Sequence, residues 1–267
     1  MYYIVASDLD GTLLSPQFYL TEYTKKIIKR LVNKGIYFVI ATGRHYNEAK
    51  EIQKMLNVPV FLITSNGARI YDLNKKLIYS CDIEQKVVKE LLQKCLLNHD
   101  ILIQLYSHNN WYVSNNNYSA SSLYVSFSFR SKIFEFKTII KKKISKIFFT
   151  CKNVKKLLCL EKYIISHWGK YVNVSFSFLN CLEIMSKTVS KGNSLQLIAN
   201  MLGLSIKNCI SFGDGMNDKE MLDMSGKGCM MDNSHYLLKK SLPNLEIIGS
   251  NKFDSVAMYL NKIYFKK

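Results

Sequence analysis

The chain has 267 residues, 48% hydrophobic and 21% charged, which is enough apolar material for one or two buried cores and far from a disordered composition. Three prolines and 12 glycines exclude collagen-like and proline-rich readings, and no apolar run approaches the roughly 18 residues of a membrane span. The excess of 37 Lys and Arg over 20 Asp and Glu, net +17, suits an anionic partner. Yet Arg30, Arg44, Arg69 and Arg130 are the only arginines, and Arg is the cation that reads bases bidentately. A solvated lysine surface on a chain rich in Lys, Asn, Ile, Tyr and Phe is therefore favoured over nucleic-acid binding.

Tyr3 to Ala6 is a short apolar run, expected as a strand; the acid at Asp8 and the absence of a basic start argue against a secretory leader. Glu22 to Asn33 has helical spacing, with Ile27, Ile28, Leu31 and Val32 on one face and Gly35 past its end. Ile36 to Ala41 is a second strand, His45 to Leu56 a helix and Val60 to Thr64 a third strand. Glu84 to Leu97 then reads as a helix, followed by strands at Ile101 to Tyr106, Trp111 to Val113 and Ser145 to Thr150. A helix over Val154 to Ile165 precedes a hairpin of Val172 to Phe178 and Cys181 to Met185. The alternations Phe127/Phe129 and Phe176/Phe178 fit a buried sheet face better than a base-stacking platform. The last part returns to alternation: a helix over Asn193 to Leu202, a strand over Asn208 to Phe212, a helix from Asp218, strands at Gly228 to Met231 and Leu245 to Ile248, and a helix from Asp254.

Both chain ends thus predict βαβα units with a parallel sheet, and the middle predicts paired strands of an α+β module. Glycine marks the same division: between Ala68 and Ser190 only Gly169 occurs. The expected organisation is an outer domain of residues 1–81 and 190–267, interrupted by an inserted domain of 82–189. The insert carries 16 basic and 7 acidic residues, the higher net positive charge per residue of the two. Seven cysteines (Cys81, Cys95, Cys151, Cys159, Cys181, Cys209 and Cys229), an odd number without a Cys-x-x-Cys pair, argue against a zinc ribbon or a disulfide framework. Buried thiols in a reducing cytoplasm are expected.

Four polar constellations follow predicted core strands or open predicted core helices. They are Asp8-Leu9-Asp10-Gly11-Thr12, Thr42-Gly43-Arg44, Lys191-Gly192, and Gly213-Asp214-Gly215-Met216-Asn217-Asp218. Ligands of open parallel sheets collect at the carboxyl ends of the strands, so these distant fragments can converge on one pocket. Each alone has a bland reading: acids capping turns, a loop start, a solvated lysine, charges complementing a helix N-terminus. Their joint occurrence in this order is what carries the argument. The five histidines, His45, His99, His108, His167 and His235, show no metal spacing, and no phosphate-binding G-x-x-x-x-G-K-[ST] loop occurs.

The set resembles the haloacid dehalogenase superfamily of hydrolases, and within it the Cof-type metabolite phosphatases. Those enzymes carry Asp-x-Asp-Gly-Thr after the first strand, Thr-Gly-Arg after the second, a Lys-Gly at a helix start and Gly-Asp-x-x-Asn-Asp after a later strand. Ser65-Asn66-Gly67 matches a further family turn. Met230-Met231-Asp232-Asn233-Ser234 departs mildly from a Met-x-Asn-Ala-like turn, and the insert matches only in general pattern. The resemblance covers essentially the whole chain. It implies a Rossmann-like, parallel-sheet α/β core with an inserted α+β cap over residues 82–189 that selects the substrate.

Bottom-up chemistry agrees. Hydrolysing a phosphate monoester requires a nucleophile to approach a dianion, and a divalent ion relieves that repulsion. Oxygen donors at Asp8, Asp10 and Asp214 suit Mg²⁺. The resemblance implies that Asp8 and Asp214 bind through carboxylates and Asp10 through its carbonyl. It makes Asp8 the nucleophile, forming an aspartyl-phosphate, and Asp10 the acid and then base. It implies that Leu9, Thr42, Gly43 and Lys191 hold phosphate oxygens, that Asn217 donates at the phosphate or to the nucleophile, and that Asp218 orients Lys191 or metal waters from behind. Arg44 is read as structural in preference to facing the substrate. The expected partner is a small phosphorylated metabolite (a sugar phosphate, pyridoxal 5′-phosphate or flavin mononucleotide), with no nucleic acid and no membrane. Two competitors stay open: a phosphotransferase of the phosphomannomutase type, and a basic nucleic-acid-binding protein with a vestigial core.

Overall fold

The computed structural model describes residues 2–115 and 130–266, so Phe127 and Phe129 lie outside the described residues. The described chain divides into two compact units: residues 2–44, 49–79 and 190–266, and residues 45–48, 80–115 and 130–189.

The first unit holds strands β1 (Ile4–Ser7), β2 (Tyr37–Ala41), β3 (Phe61–Thr64), β4 (Arg69–Tyr71) and β5 (Leu77–Ser80, whose last residue falls in the second unit). Helix α1 (Glu22–Asn33) precedes β2, and α2 (Tyr46–Leu56) precedes β3. The second unit follows with α3 (Gln85–Cys95), β6 (Leu102–Ser107), β7 (Asn110–Val113), β8 (Ser131–Ile133), α4 (Phe136–Ile139), β9 (Lys146–Thr150), α5 (Val154–Trp168), β10 (Val172–Phe178) and β11 (Cys181–Ser186). The chain then completes the first unit with α6 (Lys191–Met201), β12 (Cys209–Gly213), α7 (Lys219–Met224), β13 (Lys227–Met231), α8 (Tyr236–Ser241), β14 (Glu246–Ile248) and α9 (Ser255–Phe265).

In the first unit the eight strands run in the order β14-β13-β12-β1-β2-β3-β4-β5. Strands β14 to β3 are parallel, and β3 pairs with β4 antiparallel, so the predicted parallel sheet carries an antiparallel edge. The central strands are buried along their whole length, as strands covered on both faces must be. Ile4, Ala6, Val39, Ala41 and Ile63 pack under Leu195, Ile198 and Ala199 of α6 and Met221 of α7, while α1 packs with α9. Strand β1 lies between β2 and β12, with Ser7 in register with Ile40 and Phe212. The residues that follow these three strand ends therefore leave the sheet side by side.

The second unit is a six-stranded sheet in the order β10-β11-β9-β6-β7-β8, antiparallel except for β7 with β8. One face packs Ile103, Leu105, Ile147, Phe149, Leu182 and Ile184 against α3 and α5. The other carries Leu102, Tyr106, Trp111 and Phe148, interleaved with buried polar groups. Trp111 Nε1 donates to Gln104 Oε1 (3.2 Å), Gln104 Nε2 donates to Thr150 Oγ1 (2.9 Å), and Lys146 pairs with Glu183 (2.8 Å). Segment 45–48 adds His45, whose ring meets Tyr106 edge-on. Burial, with Glu48 beside it, raises the Tyr106 phenol well above its ordinary range. No helix among the described residues is long and apolar enough to cross a membrane.

Candidate active site

The first constellation begins where β1 stops. The Asp8 N–H donates to the Phe212 carbonyl (3.0 Å), which ties the first strand end to β12. Leu9 to Leu13 then form one wide turn, with Asp10 extended and Gly11 at φ +83°. Gly11 is required twice over: the left-handed backbone favours glycine, and a Cβ there would stand 2.3 Å from Asp214 Oδ2. The missing side chain leaves the space that Asp214 enters. Thr12 Oγ1 donates to Asp214 Oδ1 (2.7 Å), and Asn233 Nδ2 donates to the Gly11 carbonyl (2.7 Å).

Lys191 opens α6 and is fully buried. Its Nζ lies 2.5 Å from Asp8 Oδ1 and 2.7 Å from Asp218 Oδ1. Gly192 lets this helix start approach α7, since a Cβ there would meet the Glu220 backbone carbon at 2.8 Å. Asp218 spends its other oxygen on the N–H groups of Asp214 (3.0 Å) and Gly215 (2.9 Å). It thus braces both Lys191 and the loop bearing Asp214. Burial alone favours a neutral lysine, but the Asp218 and Asp8 carboxylates outweigh it and raise the Lys191 pKa above its ordinary value.

The acids feel the converse. Burial raises Asp8 well above the usual carboxylate range, and Asp218, Asp214 and Asp10 add to this while Lys191 opposes it. Burial and the Asp218 charge push Asp214 up to about 7, against the pull of the Thr12 hydroxyl and Lys191. Asp8, Asp214 and Asp218 offer carboxylate oxygens within 4.8 Å of one another. Three acids against one lysine, all with oxygen donors, is the chemistry that a hard divalent cation such as Mg²⁺ fits. Both Asp218 oxygens are already engaged, which leaves Asp8 and Asp214 as the carboxylates suited to the ion.

The second constellation is delivered by β2. Thr42 is buried; its N–H donates to the Ile63 carbonyl (2.9 Å), and its Oγ1 accepts the Arg44 N–H (3.1 Å). The hydroxyl can therefore still donate its proton to an acceptor in the site. Leu9 and Gly43 are the chain neighbours of Asp8 and Thr42, on loops leaving adjacent strands. Asn217 Nδ2 donates to Asn66 Oδ1 (3.0 Å), and the Asn66 N–H donates to the Thr42 carbonyl (3.0 Å). Ser65 and Asn66 both hold left-handed backbone, at φ +50° and +57°. The family-like turn thus positions Asn217 beside Thr42, a role its sequence did not disclose. Arg44, read from sequence as structural, grips Asp10 with two donors: Nε to Oδ2 at 2.7 Å, and Nη2 to Oδ1.

A family model for haloacid dehalogenase-like hydrolases matches residues 5–260. A relative from Buchnera aphidicola subsp. Schizaphis graminum is 51% identical over all of this chain and 97% of its own length. The HMP-PP phosphatase of Escherichia coli O6:H1 is 32% identical over 96% of this chain and 94% of its own. Among solved structures, a haloacid dehalogenase-like hydrolase from Bacteroides thetaiotaomicron superimposes with a TM-score of 0.86 at 25% identity, covering 99% of this chain and 100% of that one. With its parallel core and its acids gathered around one buried lysine, the chain is a phosphatase belonging to the haloacid dehalogenase-like hydrolase family.

Proposed function

We propose that this protein is a Mg²⁺-dependent phosphatase that hydrolyses small phosphorylated metabolites through an aspartyl-phosphate at Asp8. The observation that carries this reading is Lys191, buried between Asp8 and Asp218 and drawing the first and last constellations to one point. Lys191 holds Asp8 Oδ1, which leaves Oδ2 to attack phosphorus opposite the leaving oxygen. Asp10 gives its proton to that oxygen as the ester bond breaks. Water then attacks phosphorus, Asp10 takes its proton, and the bond to Asp8 opens to release inorganic phosphate. Leu9 and Gly43 N–H groups, the Thr42 hydroxyl, Asn217 and the Lys191 ammonium hold the phosphoryl oxygens as charge develops. Bound by Asp8, Asp214 and the Asp10 carbonyl, Mg²⁺ supplies neutralisation of the phosphoryl charge.

The inserted domain, residues 82–189, selects the organic group, and its density of lysines favours anions. Sugar phosphates, pyridoxal 5′-phosphate and flavin mononucleotide are the candidate substrates, joined by HMP-PP from the name of the E. coli relative. The burial of Cys95, Cys151, Cys181, Cys209 and Cys229 as free thiols supports a reducing cytoplasm as the working compartment. A screen of phosphorylated metabolites with Mg²⁺, run beside Asp8→Asn, tests the reading. Mg²⁺-dependent phosphate release without any acceptor alcohol, lost in Asp8→Asn, is the expected result. Phosphate transfer to a sugar with no free phosphate would establish the phosphotransferase instead.

A further inference from the structure

Arg44, which pairs with Asp10, has no role in the proposed mechanism. The geometry of the pair is fork on fork, each carboxylate oxygen taking one guanidinium donor. Arg44 is also fixed at its backbone: its N–H donates to Thr42 Oγ1 (3.1 Å) and its carbonyl accepts the Ser65 N–H (2.9 Å). Asp10 itself sits on extended backbone (φ −80°, ψ 117°) just before the left-handed Gly11, where the backbone alone leaves several side-chain rotamers open. The guanidinium selects one of them. The Asp10 side chain nevertheless keeps 36% of its surface exposed, against 16% for Arg44. A carboxylate oxygen has two lone pairs, and the fork uses one on each. The outer edge of the carboxyl stays available for a proton in transit.

We propose that Arg44 is a positioning residue for proton transfer, holding the Asp10 carboxyl in the one orientation from which its outer edge meets the leaving oxygen. The proposal rests on the reading of Asp10 as the group that protonates that oxygen. The step balances: the proton moves from the Asp10 carboxyl to the departing alkoxide as Asp8 bonds to phosphorus, and returns to Asp10 from the attacking water. Lysine cannot replace this function fully, because a single ammonium fixes one oxygen and leaves the carboxyl free to rotate.

The test is kcat/KM, with Mg²⁺, on phosphate monoesters graded by leaving-group basicity from p-nitrophenyl phosphate to an alkyl phosphate. This constant reports only steps through ester cleavage, so release of phosphate from Asp8 does not enter it. General acid catalysis contributes about 10²–10⁴-fold for poor leaving groups and little for good ones. Arg44→Met is expected to lose about 10–100-fold on the alkyl ester and less than about 3-fold on p-nitrophenyl phosphate, with Arg44→Lys between it and the unchanged protein. In an Asp10→Asn background, Arg44→Met is expected to cost nothing further on either ester. Equal losses on both esters would reduce Arg44 to a structural tie, and so would an undiminished loss in the Asp10→Asn background. If Arg44→Met does not fold, the leaving-group dependence of Arg44→Lys decides by the same criterion. If Asp10→Asn itself shows no preference for good leaving groups, the acid assignment fails first, and that outcome is distinct from a failure of the clamp alone.

Discussion

The two units bury charge in opposite ways. In the second unit Lys146 pairs with Glu183, and Gln104 is bonded on both sides, to Trp111 and Thr150. In the first, Lys191 faces Asp8 and Asp218 with Asp214 beside them, so acids outnumber the cation. Lys146 and Glu183 meet an opposite charge on folding. An unbalanced cluster costs folding energy until a cation or a substrate completes it, and such clusters mark functional sites.

The largest effect that would break this contrast is at Asp8, the proposed nucleophile. Asp8→Asn is expected to lower phosphatase activity by at least about 10³-fold. It is also expected to raise the melting temperature of the metal-free protein at pH 8, because it removes one anion from a crowded site. A loss of activity accompanied by a loss of stability would mean that Asp8 is held for structure.

Lys191→Met comes next. It leaves two buried carboxylates without their counter-ion, which costs about 3–5 kcal/mol in denaturant unfolding. It also removes a positive charge from the proposed phosphoryl site, with an expected loss of about 10²–10³-fold in kcat/KM. A stable, active Lys191→Met protein would show that the acids are balanced by something other than the lysine.

How much of this was legible without coordinates follows from what local spacing can encode. Asp8, Asp10, Asp214 and Lys191 are visible because they follow strand ends or open a helix in an order that resembles the family's motifs. Asn66, Asn233 and Arg44 act through partners that only folding brings near: Asn66 meets a residue 151 positions away, and Asn233 one 222 away. Their motifs stand out in the sequence, but the atoms their side chains meet do not. Strands β4 and β5, of three and four residues, are too short to show a period. Segment 45–48 packs within the second unit although its helix continues in the first, which no composition shift announces.

The pH dependence sharpens the same comparison. Asp214 is raised to about 7 in the folded protein and reverts to an ordinary carboxylate, near 4, on unfolding. Between these values the folded state binds more protons, so the contribution of Asp214 to stability is full below about pH 4 and is lost as pH rises through about 7. In EDTA the melting temperature is therefore expected to fall over this range. Because Mg²⁺ competes with protons for the cluster, the increment it adds is expected to be larger at pH 8 than at pH 5. Equal increments at both pH values would separate the cation from these carboxylates.

The smallest effect on hydrolysis belongs to the Lys146–Glu183 pair. Lys146→Met or Glu183→Leu alone removes one side of a buried ion pair, at a cost of about 3–5 kcal/mol, and the double variant is expected to recover part of that loss. Hydrolysis of p-nitrophenyl phosphate by the double variant is expected to stay within about 3-fold, since neither residue belongs to the cluster around Lys191. Preference among larger phosphorylated metabolites is where a change is expected if the inserted domain selects the organic group. The corresponding neutralisation in the first unit, Lys191→Met with Asp8→Leu, has no such outcome. It removes one of the two stranded carboxylates and is expected to recover part of the stability while hydrolysis stays lost, because the proposed nucleophile is gone. A double variant of the second unit as inactive on the aryl ester as the double variant of the first would erase the distinction between the two units.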